Sequence, residues 1–225
     1  MRSIIVTGGF GVLGRAVAQT FREQGDRVAR VDFAPTAADA NPGGLDLGGV
    51  DLTDAGAAER VVAQVSDAFG GIDVLVNVAG GFVWEQLADG GPQTWARMYA
   101  MNTATCVTMT KAALPVLSAT AGAAIVNIGA GAALTAGAGM GSYAASKAGV
   151  HALTQSLAAE LAGVDCTVNA VLPSIIDTPT NRADMPDADF SQWVAPSSLA
   201  KVIAFLASPA ARTISGALIP VSRGG

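Results

Sequence analysis

The sequence predicts an α/β fold: a parallel β-sheet with helices on both faces, built as one domain over residues 1–225. Strand-like and helix-like segments alternate from end to end, and a βαβα alternation closes into a parallel sheet. The strand-like segments are short apolar runs (residues 3–6, 74–79, 123–128, 167–172 and 217–221) bounded by turn signals. Such runs suit strands buried on both faces. The length agrees with one domain, and neither an internal repeat nor a dividing linker is present.

The first strand spans 3–7, and a glycine-rich turn passes it to a helix over 12–24. A second strand, 27–32, ends in Asp32. Residues 34–50, rich in Gly, Pro and Ala, read as a solvated surface loop. Helix 54–69 leads to strand 72–78, helix 93–118 to strand 123–129, and helix 141–162 to strand 164–172. An irregular stretch, 173–195, precedes helix 196–207 and strand 216–221.

Composition narrows the function classes. The chain is 51% hydrophobic and only 14% charged, which excludes intrinsic disorder. Its mean hydropathy of +0.43 raises the question of a membrane protein, but no apolar stretch approaches the ~18–20 residues of a spanning helix. A net charge of −5 and a pI near 4.7 argue against a nucleic-acid partner. Cys106 and Cys166 are too few for a disulfide framework and read as buried thiols. His151 is the single histidine, so no metal site is expected. The N-terminus runs straight into a strand without a leader pattern, which points to the cytoplasm.

Two motifs carry chemistry. Thr7-Gly8-Gly9-Phe10-Gly11-Val12-Leu13-Gly14 holds G-x-G-x-x-G at Gly9, Gly11 and Gly14, between a strand and a helix. Glycines there let the backbone approach a pyrophosphate seated on the helix N-terminus. Asp32, eighteen residues after Gly14, can accept from both adenosine ribose hydroxyls and would repel a 2′-phosphate. NAD(H) is therefore favoured, with NADP(H) an alternative because Arg15 or Arg30 could reach that phosphate. Tyr143 and Lys147, at i and i+4, share one helix face. A lysine beside a phenol stabilises phenolate and lowers a pKa that is ordinarily ~10. The pair stands out in a chain with two tyrosines.

With these motifs in order, the whole chain resembles the short-chain dehydrogenase/reductase family. The glycine loop, Asp51-Leu52-Thr53, Asn77-Val78-Ala79-Gly80, Asn102, Tyr143-x-x-x-Lys147 and Pro173…Thr178 carry the resemblance. It implies a single Rossmann-like, doubly wound sheet of about seven strands that binds a nicotinamide dinucleotide. It further implies that Asp51 and Leu52 flank adenine and that the Asn77–Gly80 turn supports the adenosine side. Lys147 would bind the nicotinamide ribose, while Thr178 and the Ile176 backbone, after Pro173, would hold the carboxamide. Asn102 would bend its helix and hold a relay water. The family also implies a homodimer or homotetramer, and small residues in helices 93–118 and 141–162 would suit such packing.

The family normally carries a serine thirteen residues before the tyrosine, where this chain has Ala130. An oxyanion left without its donor typically costs ~2.7–4 kcal/mol in the transition state. Three explanations stay open. A hydroxyl of Ser142, Thr135 or Ser174 substitutes, the chain is a non-catalytic dinucleotide sensor, or the substrate does without that donor. Within the family the chain is most similar to the dihydropteridine reductase branch, which also has alanine there. That likeness rests on Gly129-Ala130-x-Ala132-Ala133-Leu134 and on the stretch from Asp177 to Trp193, the expected substrate lid within 173–195. It implies hydride transfer to a conjugated, pterin-like acceptor, with Tyr143 as proton donor. Ala130, Trp84, Met185 and Trp193 are the candidate substrate contacts. Trp84 stacks on a flat substrate or is buried against the lid, and Trp193 anchors the lid or faces the substrate.

Overall fold

The computed structural model describes residues 1–223. The strands are β1 (Ser3–Thr7), β2 (Arg27–Val31), β3 (Leu45–Leu47), β4 (Val74–Asn77), β5 (Ala123–Ile128), β6 (Cys166–Pro173) and β7 (Leu218–Val221). They form one parallel sheet in the order β3-β2-β1-β4-β5-β6-β7. The helices are α1 (Val12–Glu23), α2 (Ala55–Phe69), α3 (Pro92–Met98), α4 (Thr105–Ala119), α5 (Gly141–Glu160), α6 (Pro179–Asp184) and α7 (Pro196–Leu206). This is the parallel sheet that the alternation of elements predicts, in the Rossmann-like form that the family resemblance implies.

Side chains alternate across a strand, and the apolar runs feed two cores. Ile4, Val6, Val74, Val76 and Val126 face α1 and α7, meeting Val17, Phe21, Leu199 and Ile203. Ile5, Val31, Leu75, Ile125 and Val168 face the other way, meeting Val61 and Val65 of α2, Met109 and Leu117 of α4, and Leu157 of α5. The sheet is thus covered on both faces. Its order reverses between β1 and β4, which opens a crevice at the C-terminal ends of those strands.

Three segments differ from expectation. The stretch 34–50 contains edge strand β3, which the loop reading missed. Its three residues are too few to show a pattern, and it is tied to β2 from the side by Arg30, which donates to both Asp46 carboxylate oxygens at 2.8 and 2.7 Å. Helix 93–118 is interrupted by a π-helical turn, Tyr99–Ala104, between α3 and α4. The irregular stretch 173–195 contains α6 and a 3-10 turn, Phe190–Gln192. Cys106 and Cys166 are buried free thiols. No helix among the described residues is long and apolar enough to cross a membrane.

Candidate active site

The glycine turn joins β1 to α1 at the crevice. Gly8 has φ +61°, a backbone that glycine adopts freely, and a Cβ there would lie 2.9 Å from Ala79 N. A Cβ on Gly9 would meet Arg30 Cβ at 2.6 Å, and one on Gly14 would collide with the Gly8 carbonyl. The three motif glycines therefore have separate duties: Gly9 against β2, Gly11 as the helix N-cap, Gly14 for close packing of helix on strand. Gly11 offers no capping side chain, and the first turn of α1 carries no acid. The amides of Val12 and Leu13 thus begin a helix with its N-terminus uncapped, and a dinucleotide's pyrophosphate fits that cradle.

Asp32 follows β2 directly. Its Oδ2 accepts from the Phe10 N–H at 2.9 Å and its Oδ1 from the Ala34 N–H at 3.0 Å, so the carboxylate is aimed at the turn. Each oxygen keeps a further lone pair for a ribose hydroxyl. Arg30 is removed from the contest over a 2′-phosphate. It is fully buried beneath Gly9 and pairs with Asp39 at 2.9 Å and Asp46 at 2.7 Å. Arg15 is half-buried beside the turn. Asp51 is exposed, and the Thr53 hydroxyl and amide hold its carboxyl below the ordinary range, while Leu52 is buried.

The Asn77–Gly80 turn hangs from Thr7, whose hydroxyl accepts from the Val78 and Ala79 amides at 3.0 Å each. The Asn77 side chain points inward, donating to Thr110 Oγ1 and Asn127 Oδ1 at 2.9 Å each. Its part in any cofactor site is to brace β4 from behind.

Asn102 lies in the π-helical turn, buried, and clamps Gly81 through both halves of its peptide. Its Oδ1 accepts from Gly81 N at 3.0 Å, and its Nδ2 donates to Gly81 O at 3.0 Å and to Ser146 Oγ at 3.1 Å. The helix expected to bend here carries a π-helical turn in place of a continuous α-helix. The side-chain amide spends both protons on protein groups, leaving none for a water. A Cβ on Gly80 would lie 2.5 Å from Asn102 Oδ1 and 3.4 Å from Lys147 Nζ, so Asn102, Lys147 and the turn after β4 meet at one place.

Helix α5 brings Tyr143, Lys147 and His151 down one face. Lys147 is buried and donates to the Ile128 carbonyl at 2.8 Å. Burial pulls its pKa down to about 8. Burial also pushes the Tyr143 phenol up, to about 12. This is opposite to the expected lowering: desolvation acts on the phenol, while Lys147 gives one N–H to the Ile128 carbonyl and keeps its charge. His151 is buried under the end of β5, and its Nε2 accepts from the Ala130 N–H at 3.3 Å. A Cβ on Gly129 would lie 2.5 Å from His151 Nε2. Burial and then the charge of Lys147 hold the imidazole pKa down.

Ala130 is buried, a methyl group where a hydroxyl was expected. Among the substitutes, Thr135 and Ser174 are exposed on loops, and Ser142 is buried in α5 with an unpartnered Oγ. Trp84 is not buried against the lid. It is 56% exposed, its indole donates to the Ala138 carbonyl at 2.9 Å, and its ring rests on Gly139. Trp193 is buried against Phe190 and anchors its segment, which removes it from the substrate contacts. Met185 is half-buried at the end of α6. Thr178 caps α6, accepting from Asn181 N at 3.1 Å, and Asn181 donates to the Ile176 carbonyl at 2.7 Å. Pro173 ends β6. Sequence reasoning missed Phe82, whose ring centroid lies 5.0 Å from that of Tyr143 at 88°. An aromatic directly after Gly80-Gly81 was the available signal.

A parallel sheet with a glycine turn at its switch point, and a helix face beside it carrying half-buried Tyr143 and buried Lys147, defines a nucleotide-dependent oxidoreductase. A family model described as short chain dehydrogenase matches residues 2–189. The chain belongs to the short-chain dehydrogenase/reductase family, whose members use NAD(H) or NADP(H). It is 32% identical to a 3-oxoacyl-[acyl-carrier-protein] reductase of Vibrio cholerae, over 98% of this chain and 95% of that protein. It is 33% identical to the meso-2,3-butanediol dehydrogenase of Serratia marcescens, over 98% and 93%. Among solved structures, a glucose/ribitol dehydrogenase-type member from Brucella melitensis superposes with a TM-score of 0.90 at 30% identity, covering 98% and 94%. These comparisons establish the family without singling out its dihydropteridine reductase branch.

Proposed function

We propose that this oxidoreductase uses NADH to reduce a small conjugated, pterin-like acceptor, with Tyr143 as proton donor, Lys147 as its electrostatic partner and Asn102 as the clamp of the substrate-side strap. The observation that carries the reading is the buried Ala130 where a hydroxyl would hold a carbonyl oxygen. In a conjugated acceptor, developing charge spreads over several ring atoms, so one missing donor costs less than it would at a single alkoxide. Asp32 supports NADH over NADPH, and the sequestered Arg30 removes one argument against it. The reading takes segment 173–195 as a lid and the assembly as a cytoplasmic homodimer or homotetramer.

Reduced nicotinamide, when bound, supplies the hydride. The Tyr143 phenol gives its proton to the oxygen or nitrogen that becomes negative, and solvent restores that proton. With its pKa pushed up to about 12, the phenol is protonated at neutral pH and holds the proton to be given. Lys147, held beside Gly80, presents its charge and its remaining N–H donors to a ribose hydroxyl. Tyr143→Phe removes the transferable proton and should cut turnover by at least ~10²-fold, with NADH affinity nearly intact. Unchanged turnover would overturn the mechanism.

A second reading is a carbonyl/alcohol oxidoreductase, favoured by the names of the relatives above. An NADH- and NADPH-oxidation screen with quinonoid dihydropterin, simple ketones and quinones separates the two.

A further inference from the structure

The segment after β4 runs past Tyr143 as a strap held at both ends. At one end the Asn102 amide grips both polar atoms of the Gly81 backbone. At the other, Trp84 donates to the Ala138 carbonyl and Glu85 N donates to Gly139 O, at 2.9 Å each. Gly139 has φ +73° and leaves no room for a Cβ beneath the Trp84 ring. Phe82 is therefore fixed between two clamps, with part of its ring on Tyr143 and 51% of its surface open. Fixed, half-open aromatic rings beside a proton donor form a prepared face for another ring.

The rest of the mouth has the same character. The turn after Ala130 packs on α5, with Leu134 exposed, and Gly131 approaches the Pro173 carbonyl, which brings in exposed Ile175. Segments 80–85, 130–140 and 173–193 contain a single cation, Arg182. It is engaged by both oxygens of Asp177 at 2.6 and 2.8 Å and lies over the Phe190 ring. No free cation in these segments is left to hold a carboxylate or phosphate.

We infer that Phe82 and Trp84 form a stacking wall that selects a flat, uncharged, conjugated ring carrying the reducible C=O or C=N group, against open-chain, polyhydroxylated and anionic substrates. The inference rests on the proposed role of Tyr143. The acceptor ring lies along the Phe82 face with its reducible bond towards the phenol. The reaction gains one hydride from NADH and one proton from Tyr143.

The test compares 9,10-phenanthrenequinone with butane-2,3-dione as acceptors, scored by the ratio of their kcat/KM values. Phe82→Leu, which keeps apolar bulk and removes the ring, should lower that ratio about tenfold, and Trp84→Leu should lower it several-fold. Phe82→Tyr, which keeps the ring, should hold the ratio within about threefold of wild type. An unchanged ratio in Phe82→Leu, or equal losses in the Leu and Tyr variants, overturns the wall. If Tyr143→Phe retains turnover, the proton-donor reading itself fails. If Tyr143→Phe is inactive and Phe82→Leu keeps the wild-type ratio, only the wall fails. Should neither acceptor turn over, calorimetric titration of the quinone into NAD-loaded enzyme decides. Binding weakened in Phe82→Leu supports the wall, and no binding to wild type overturns it.

Discussion

Replacing Lys147 by methionine should change how the stability of the fold depends on pH, by an amount the structure sets. Lys147 is buried, and burial pulls its pKa from 10.5 down to about 8. Between those values the unfolded chain binds more protons than the folded one, so stability rises with pH across that window. Below it both states carry the proton and this residue contributes no slope. From these two constants, the contribution of Lys147 grows by about 2 kcal/mol between about pH 7 and about pH 9.5. Methionine has nearly the same length and does not titrate. Wild type should therefore gain that amount on Lys147→Met over the interval, even though the variant is catalytically dead. Tyr143 is present in both proteins and largely cancels in the difference. Urea unfolding of both cofactor-free proteins at several pH values measures it. A difference that stays flat, or shrinks as pH rises, would refute the placement of a desolvated amine beneath Gly80.

Other perturbations address the cofactor and substrate ends. Ala130→Ser should raise kcat/KM on simple ketones by at least tenfold if a carbonyl acceptor has been lacking its donor, and should leave conjugated acceptors nearly unaffected if the pterin-like reading holds. Steady-state kinetics on both classes decides. Asp32→Ser removes the charge facing a 2′-phosphate and should shift the NADPH/NADH ratio of kcat/KM upward by about tenfold, while an unmoved ratio would show that selection lies elsewhere. Gly80→Ala places a methyl group 2.5 Å from Asn102 Oδ1. It should lose about 1–3 kcal/mol in thermal unfolding through the broken Gly81 clamp, together with most activity.

The sheet was legible because its strands are buried on both faces, and a run such as Ala123–Ile128 has no polar face to confuse the reading. Edge strand β3 was not, because two leucines in three residues make no pattern and its pairing with β2, reinforced by Arg30, is a contact between separate segments. The cofactor turn was legible because each glycine answers a local need. The contact of His151 with Ala130 was hidden, because it comes from β5 docking on α5, a long-range event. Thr178 shows the converse. Its family position suggested a ligand contact, while its local position, just before Pro179, is that of a helix cap, and the cap is what its hydroxyl makes. The direction of the phenol's pKa was misjudged for a similar reason, since the spacing of Tyr143 and Lys147 carries no information about how far the phenol is desolvated.

A π-helical turn contains one residue more than an α-helical turn would need. Because of Tyr99–Ala104, α3 and α4 meet about 100° out of the phase that a continuous helix would give them. Deletion of a single codon inside this turn would regularise the helix, swing Trp95 and Met98 around its axis and withdraw Asn102 from Gly81, without altering any catalytic side chain. Chain length at this point is therefore as much under functional constraint as residue identity. Libraries that scan substitutions alone would leave that constraint unseen, whereas a single-residue deletion scan would find it between Tyr99 and Ala104.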